Sequence, residues 1–308
     1  MKRIASNPFR KTTTALGLTA LDCGKGPVVV LAHSYLWDAE MWRPQIEALS
    51  RHYRVIVPNL WGHGDAGPLP PDVTDLRCVA RRHLALFDSL GIGRFTFVGH
   101  STGAMWGAEL ACLAPGRVTS LVLLNSFVAP EPDDGRARYF AMLDEIAAAG
   151  TIPDRVLTAV VPYFFSPGFS ATMPEAPASF RTKLANWDRA RLLNTIVPLG
   201  RMIYGRRDAL TELVSHDIPA LVMTGTDDYP RPVHEGRRMA HALGCRFVAL
   251  PGVGHMSTIE APDTVNAHFL EFLEAAFRNQ DQSAPAPVPR PTRRQVRMSS
   301  LVTSVALS

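Results

Sequence analysis

Residues 94–103 read Arg-Phe-Thr-Phe-Val-Gly-His-Ser-Thr-Gly, and the interpretation of the chain starts from this stretch. Its first half is aromatic, β-branched and apolar, which is typical of a buried strand. Its second half is the pentapeptide Gly99–Gly103, and a helix-like segment, Ala104–Leu113, follows. A serine between two glycines at a sharp strand-to-helix turn is lifted above the edge of the sheet. The pattern therefore indicates a nucleophile at Ser101, with an ordinary buried turn serine as the alternative.

Two polar loops downstream supply the groups that such a serine needs. A serine hydroxyl is a poor nucleophile until a histidine removes its proton, and a carboxylate orients that histidine. One apolar run, 219–224, leads into Asp227 and Asp228, and another, 246–250, leads into a loop that contains His255. The chain order serine, acid, histidine is the order of this strand–turn–helix topology. We expect Ser101, Asp228 and His255 to be catalytic, with Asp227 as the alternative acid.

The fold class follows from alternating strand and helix patterns. Near-continuous apolar runs predict parallel strands that helices cover on both faces. Helical periodicity appears at 73–90, where Gly91 ends the pattern, and at 261–277. Such an alternation predicts an α/β fold with an open, mostly parallel sheet. The predicted strands are Val28–Ala32, Arg54–Leu60, Arg94–Val98, Val118–Leu124, Pro219–Thr224 and Arg246–Leu250.

One long segment interrupts the alternation. The residues between Leu124 and Pro219 are rich in aromatic side chains and form no further strand pattern. A structureless loop of this length is unusual in a compact domain, so we expect an inserted helical cap over the carboxyl edge of the sheet. The predicted organisation is a core of residues 12–127 and 216–277, a cap of 128–215, an N-terminal extension of 1–11 and a disordered Pro/Arg-rich tail of 278–308.

These motifs together resemble the α/β-hydrolase superfamily over roughly residues 12–277. Residues 32–34 (Ala-His-Ser) are similar to the family's His-Gly segment, and residues 57–64 (Val-Pro-Asn-Leu-Trp-Gly-His-Gly) to its Pro-Asp-x-x-Gly-His-Gly loop. Two departures are Ser34 in place of glycine and Asn59 in place of aspartate. In some relatives the acid follows the sixth strand, where this chain has Leu124-Asn125-Ser126-Phe127 and no carboxylate, which favours Asp228.

The resemblance implies a serine hydrolase with a mostly parallel α/β-hydrolase sheet and a helical cap after the sixth strand. It implies an oxyanion hole formed by the backbone N–H groups of Tyr35 and Thr102. We expect the substrate to be a small, partly apolar carboxylic ester or lactone. The alternatives are a C–C bond hydrolase or lyase that uses the same triad, and a non-catalytic ligand-binding member of the fold. Relatives that cleave epoxides or haloalkanes carry an aspartate in place of Ser101.

The remaining candidate residues have structural interpretations beside the functional ones. Trp37 and Trp106 flank the predicted oxyanion loop and the serine turn, so core packing is the first expectation and a substrate pocket the second. His33, His63 and His100 are expected to make loop hydrogen bonds. The chain has no His-x-x-x-His pattern, no Walker loop and no Gly-x-Gly-x-x-Gly after a first strand. We therefore expect no metal and no nucleotide cofactor.

The composition of the chain excludes some classes of binding partner. The chain has 308 residues, is 46% hydrophobic and carries a net charge of +4. The segment 278–308 holds five arginines and one aspartate, so the remainder is formally neutral, which disfavours nucleic-acid binding. No apolar run is long enough to span a membrane, and no apolar segment of a secretory signal is present near the N-terminus. Four widely spaced cysteines predict reduced thiols. We expect a cytoplasmic protein with a small-molecule substrate, and the sequence predicts no particular oligomeric state.

Overall fold

The computed structural model describes residues 10–13 and 17–283, and within them the chain forms a sheet of eight strands in the order β1-β2-β4-β3-β5-β6-β7-β8. β1 and β4 each pair with β2 in antiparallel orientation, and every other neighbouring pair in the described sheet is parallel. The predicted mostly parallel α/β sheet is thereby confirmed. The strands are β1 Arg10–Thr13, β2 Thr19–Cys23, β3 Val28–Ala32, β4 Arg54–Asn59, β5 Phe95–His100, β6 Val118–Leu124, β7 Ala220–Gly225 and β8 Arg246–Leu250.

The six parallel strands coincide with the predicted apolar runs to within two residues. β5 and β7 are buried at every position, as strands covered on both faces should be. β1 and β2 have no counterpart among the predicted strands, because their sequences lack a continuous apolar run. In β2, Asp22 accepts two hydrogen bonds from the Arg54 guanidinium of β4, at 3.0 and 2.8 Å, so a polar residue is satisfied within the sheet.

The helices before β6 and after β7 follow the predicted pattern closely. The predicted helix 73–90 is α2, which begins after Asp75, whose carboxylate accepts the N–H of Cys78. The predicted helix 261–277 is α13 and extends further along the chain. These helices are α1 Arg43–Leu49, α2 Leu76–Ser89, α3 Thr102–Leu113, α11 Val233–Ala242, α12 Ser257–Glu260 and α13 Pro262–Ser283, and a 3₁₀ turn occupies Ala39–Trp42.

Seven helices lie between β6 and β7, at the place where the sequence predicts an insertion, and we call residues 133–214 the helical insert. They are α4 Asp133–Ala149, α5 Asp154–Val160, α6 Pro167–Thr172, α7 Glu175–Ala185, α8 Arg189–Arg191, α9 Val197–Tyr204 and α10 Leu210–Val214, with a 3₁₀ turn at Val161–Phe164 and a π turn at Leu192–Ile196. The insert contacts the loops at the carboxyl edge directly. The Tyr35 hydroxyl donates to the Ile196 carbonyl at 2.7 Å, and the Met256 N–H donates to the Phe164 carbonyl at 2.9 Å.

The boundaries 128–215 of a separate cap stay a prediction. Residues 1–9, 14–16 and 284–308, which include most of the predicted N-terminal extension and of the tail, lie outside the described residues. Among the helices that the structure describes, none combines the length and the apolar character needed to cross a lipid bilayer.

Candidate active site

Ser101 occupies a strained turn between β5 and α3. Its backbone has φ 52° and ψ −114°, a conformation that residues with a side chain rarely adopt. The flanking glycines allow the turn, because a Cβ at Gly99 would lie 2.4 Å from the Ala104 nitrogen and one at Gly103 would lie 2.1 Å from the Ala32 carbonyl oxygen. The Ser101 N–H donates to the Leu124 carbonyl at 2.9 Å, so β6 holds the turn from one side.

His255 and Asp228 meet at the same edge of the sheet. Asp228 follows β7, His255 follows β8, and His255 Nδ1 donates to the two carboxylate oxygens of Asp228 at 3.0 Å each. Both side chains are buried. Asp227 is exposed and accepts a hydrogen bond from the Thr226 hydroxyl instead. Of the two candidate acids, Asp228 is therefore the one in contact with His255.

Asn125 completes the surroundings of Asp228, and the sequence alone indicates only that no carboxylate stands at this position. It stands directly after β6 with φ 49°, and its Nδ2 donates to Asp228 Oδ2 at 2.8 Å and to the Gly254 carbonyl at 3.2 Å. Its Oδ1 accepts the Ser257 hydroxyl at 2.5 Å. One fully buried amide thus joins the ends of three strands. The sequence signal that could have identified Asn125 is an asparagine directly after a buried strand, because asparagine adopts positive φ more readily than most residues.

The loop that carries His255 is fixed on two further sides. His100 Nε2 donates to the His255 carbonyl at 2.7 Å. Burial holds the pKa of His100 well below its usual range, so this imidazole stays neutral. The Glu260 carboxylate accepts the N–H of Gly254 at 2.9 Å and that of Ser166 at 3.2 Å, which ties the histidine loop to the helical insert. Burial raises the pKa of Glu260.

Two more imidazoles support the loop after β3. His33 Nδ1 donates to the Ser34 carbonyl at 2.7 Å, and its Nε2 accepts the Leu60 N–H at 2.9 Å. His63 Nε2 accepts the Leu36 N–H at 3.1 Å. Burial lowers the pKa of His33 to about 4 and that of His63 to about 3. Both rings are therefore neutral and support the loop by hydrogen bonds, as expected from the sequence.

Ser101 and His255 border one small cavity of about 90 Å³. Tyr35 and Thr102 border it too, and within the described residues neither backbone N–H group has an acceptor. Ser34, the departure from the family's glycine, also lies at the cavity, and its buried Oγ has no hydrogen-bond partner in the part of the chain that the structure describes. Most of the remaining wall comes from apolar side chains of the insert, which include Met142, Leu143, Ile146, Ile152, Val156, Leu157, Val160, Phe164, Leu184, Ile196 and Ile203.

Neither tryptophan that was considered for the pocket lies among the residues lining this cavity. Trp37 stacks on Phe180 of α7 with the ring centroids 4.4 Å apart. Trp106 is buried on α3 and stacks on His83 of α2, also at 4.4 Å. Core packing, the first expectation for both indoles, matches these positions. The pocket interpretation is not supported, because each ring points to a helix packed beside the site.

A group of metal-ligand types lies away from the cavity. Ligand atoms of Cys112, Glu212 and His216 lie within 4.8 Å of one another. The Glu212 carboxylate is already paired with Arg77 at 3.0 Å and with Arg207 at 2.7 Å. Two guanidinium groups at the same carboxylate oppose a cation there, so this group does not alter the expectation of a metal-free site.

The sheet order, the serine turn and the Asp228–His255 contact define the class of protein. The sequence model of the alpha/beta hydrolase fold family matches residues 27–262, and the chain belongs to this family. The chain is an enzyme of the hydrolase class.

Three known proteins show which hydrolases this chain is similar to. The chain is 28% identical over 254 residues to "Putative carbamate hydrolase RutD" of Klebsiella pneumoniae strain 342, which covers 81% of this chain and 92% of that protein. It is 29% identical over 258 residues to (E)-2-((N-methylformamido)methylene)succinate hydrolase of Acinetobacter baylyi, with 82% and 92% covered. The enol-lactonase structure from Burkholderia xenovorans is similar with a TM-score of 0.74 and 26% identity, over 86% of this chain and 100% of that one.

Proposed function

We propose that the protein is a serine hydrolase that cleaves a small, partly apolar carboxylic ester or lactone through an acyl-enzyme. The observation that carries the proposal is the buried Asp228–His255 pair at the same cavity as Ser101 on its strained turn. The small volume and apolar wall of that cavity favour a small substrate with an apolar part. The names of the relatives, a carbamate hydrolase, a substituted succinate hydrolase and an enol-lactonase, support cleavage at an acyl carbon.

In the proposed mechanism, His255 removes the Ser101 proton as Oγ attacks the carbonyl carbon. Asp228 accepts the Nδ1–H of His255, so the Nε2 lone pair is free to act as the base and the imidazolium is stabilised. The N–H groups of Tyr35 and Thr102 stabilise the oxyanion. His255 then protonates the leaving oxygen and afterwards activates the water that releases the acid.

Within this mechanism we assign Asn125 a positioning role. Its amide occupies one side of Asp228 Oδ2, while the Arg231 N–H donates to Oδ1 at 3.0 Å. These two hydrogen bonds hold the carboxylate in the orientation in which it meets the imidazole of His255. Because Asn125 also bonds the Gly254 carbonyl, the acid and the residue before His255 share one anchor.

The first test is hydrolysis of p-nitrophenyl esters from acetate to palmitate by the wild-type protein and by Ser101→Ala. We expect turnover of the short chains and a fall in kcat of about 10⁶-fold in the variant, as when a triad serine is removed. Ser215→Ala removes an exposed serine outside the cavity and is the matched control. Wild-type turnover that survives in Ser101→Ala would contradict the proposal.

The enzymatic alternatives use the same catalytic residues but cleave a different bond of the substrate. A C–C bond hydrolase would cleave a carbon–carbon bond of its substrate and release two products. A lyase would consume no water. The identity of the products distinguishes C–C cleavage from ester cleavage, and the reaction in ¹⁸O-labelled water distinguishes both from a lyase, because only hydrolysis places the label in the released acid. A ligand-binding member of the fold would bind without turnover on any ester, lactone or C–C substrate.

Two further expectations complete the proposal. Residues 128–215 act as a cap that selects the substrate, which is consistent with the many insert side chains at the cavity. The protein works in the cytoplasm, because none of its described cysteines is in a disulfide and reduced thiols are typical of that compartment.

A further inference from the structure

We propose that the Tyr204 hydroxyl donates a hydrogen bond to a second oxygen atom of the substrate, an uncharged one close to the scissile carbonyl group. The inference rests on the proposed function and names the substrate class: short esters or lactones that also carry a ketone oxygen or an ether oxygen. It follows from a hydroxyl group of the cavity wall that has no partner in the part of the chain that the structure describes.

The ring of Tyr204 is held on two sides in the wall of the cavity. Tyr204 is the last residue of α9 and borders the same cavity as Ser101 and His255. Its ring stacks on that of Tyr139 in α4 with the centroids 4.0 Å apart, and the ring of Tyr35 meets it edge-on at 6.4 Å. These two neighbours fix the position of the hydroxyl before a substrate enters, which lowers the entropic cost of a hydrogen bond to it.

The hydroxyl group of Tyr204 is available to a ligand. No hydrogen bond joins it to another described residue, whereas a buried tyrosine hydroxyl usually has a partner. The residue keeps some accessible surface, although burial raises the pKa of Tyr204 well above its usual range. The accessible surface is therefore that of the cavity, and the hydroxyl keeps its proton and can donate it.

The two neighbouring tyrosine hydroxyls already have partners in the protein. The Tyr35 hydroxyl donates to the Ile196 carbonyl at 2.7 Å. The Tyr139 hydroxyl faces the Arg231 guanidinium. Of these three hydroxyl groups, that of Tyr204 is the one left for a substrate.

The surroundings of this hydroxyl favour an uncharged oxygen atom. The wall that the insert contributes is mainly aliphatic, with residues such as Leu143 and Ile203, and the Arg231 guanidinium is already paired with the Glu131 carboxylate. A hydroxyl group without a partner in such a wall costs free energy, and a ketone or ether oxygen removes that cost without bringing a charge into the cavity.

The size of the cavity limits the distance between the two oxygen functions. Ser101 and Tyr204 border one cavity of about 90 Å³. The scissile carbonyl group lies at Ser101 in the proposed mechanism, and the second oxygen lies at Tyr204. Only a few atoms of the substrate can therefore separate them.

The test uses two pairs of esters in which a ketone oxygen is replaced by a methylidene group of the same shape. Ethyl 4-oxopentanoate is compared with ethyl 4-methylpent-4-enoate, and acetonyl butanoate with methallyl butanoate, by titration of the released acid. The first pair places the ketone in the acyl part and the second in the alcohol part. In Tyr204→Phe we expect the ketone-to-alkene ratio of kcat/KM to fall about tenfold in at least one pair, chiefly through KM for the ketone, because one hydrogen bond is lost and the ring is kept.

Two further variants are the controls. Tyr163→Phe removes another tyrosine hydroxyl of the cavity wall, but its ring stacks on exposed Tyr229 with the centroids 4.7 Å apart, so the ratios should stay close to the wild-type values. Ser34→Ala removes a second hydroxyl at the cavity that lacks a partner among the described residues. A ratio that falls in Ser34→Ala and not in Tyr204→Phe, or ratios that Tyr204→Phe leaves unchanged in both pairs, would overturn the inference and leave the serine hydrolase standing.

A binding measurement separates the inference from turnover. Both ketone esters are titrated calorimetrically into Ser101→Ala and into the double variant Ser101→Ala/Tyr204→Phe. We expect the affinity for at least one ketone to be about tenfold lower in the double variant. This result together with no turnover by the wild-type protein would contradict the proposed function and support the Tyr204 site. Equal affinities of the two variants, or no binding of either ketone to Ser101→Ala, would overturn the Tyr204 site.

Discussion

The two halves of the cavity wall are built differently. The half from the sheet edge is polar and held by many hydrogen bonds: Asn125 alone joins Asp228, Gly254 and Ser257. The half from the helical insert is mainly aliphatic and aromatic, with residues such as Leu143 and Phe164. The difference indicates that the sheet edge determines the reaction and that the insert determines which substrate fits. Changes on the sheet edge should therefore alter kcat, and changes in the insert should alter selectivity.

The acid is the most sensitive point of the sheet-edge half. Asp228→Asn should lower kcat about 10⁴-fold, because the neutral amide no longer stabilises the tautomer that the reaction needs. Asp227→Asn should stay within twofold, since the Asp227 side chain is exposed and its carboxylate accepts from the Thr226 hydroxyl, away from His255. Steady-state kinetics on a p-nitrophenyl ester measures both. A larger loss in Asp227→Asn than in Asp228→Asn would show that the acid has been assigned to the wrong neighbour.

The next effect concerns the anchor of that acid. Asn125→Ala should lower kcat by roughly 10²-fold with little change in KM, because a small displacement of Asp228 disturbs the orientation of His255. Asn125→Asp serves as the complementary variant, because it keeps the shape and places a second negative charge 2.8 Å from Asp228. Wild-type kcat in both variants would reduce Asn125 to a structural residue.

A smaller effect is expected on the insert side. Leu143→Ala should enlarge the cavity and shift kcat/KM towards longer acyl chains by about tenfold, which is the typical value of one or two methylene groups in an apolar pocket. Leu213→Ala, which removes a buried leucine of α10 outside the cavity, should lower stability without that shift. Chain-length profiles of the two variants make the comparison, and identical profiles would remove the insert from substrate selection.

The smallest expected effect concerns the stability of the core below the site and not the reaction. Burial lowers the pKa of His83 from 6.5 to about 4. Between those values the unfolded chain binds a proton that the folded chain does not, so stability present above pH 6.5 is lost as the pH falls, by up to about 1.4 kcal/mol per pH unit for one histidine. His83→Phe should reduce this slope by one proton. Urea unfolding at pH 7 and at about pH 5 measures it, and an unchanged slope would contradict the neutral state of His83.

Local motifs were the predictable part of this protein. The turn at Ser101 and the strands leading to Asp228 and His255 could be identified because each is a short run with its own periodicity. The sequence does not decide between Asp227 and Asp228. The two are identical residues, adjacent on one loop, and they differ only in that Asp228 is buried and Asp227 is exposed. Burial depends on contacts across the sheet with Asn125, more than a hundred residues away in sequence.

The pocket was the unpredictable part for the same reason. Trp37 and Trp106 are close to the site in sequence, but their rings pack against Phe180 and His83. Nearness along the chain does not say which side of a loop or helix faces the cavity. Arg231 follows Asp228 by three residues, and its ion pair with Glu131, a hundred residues away in sequence, could not be predicted from the chain alone.

The most direct test of the central claim is covalent labelling by diisopropyl fluorophosphate, followed by mass spectrometry of the digested protein. We predict that the label falls on the peptide containing Ser101, that ester turnover is lost in proportion to labelling, and that His255→Ala labels far more slowly. A label on another serine, or full turnover by fully labelled protein, would contradict the account.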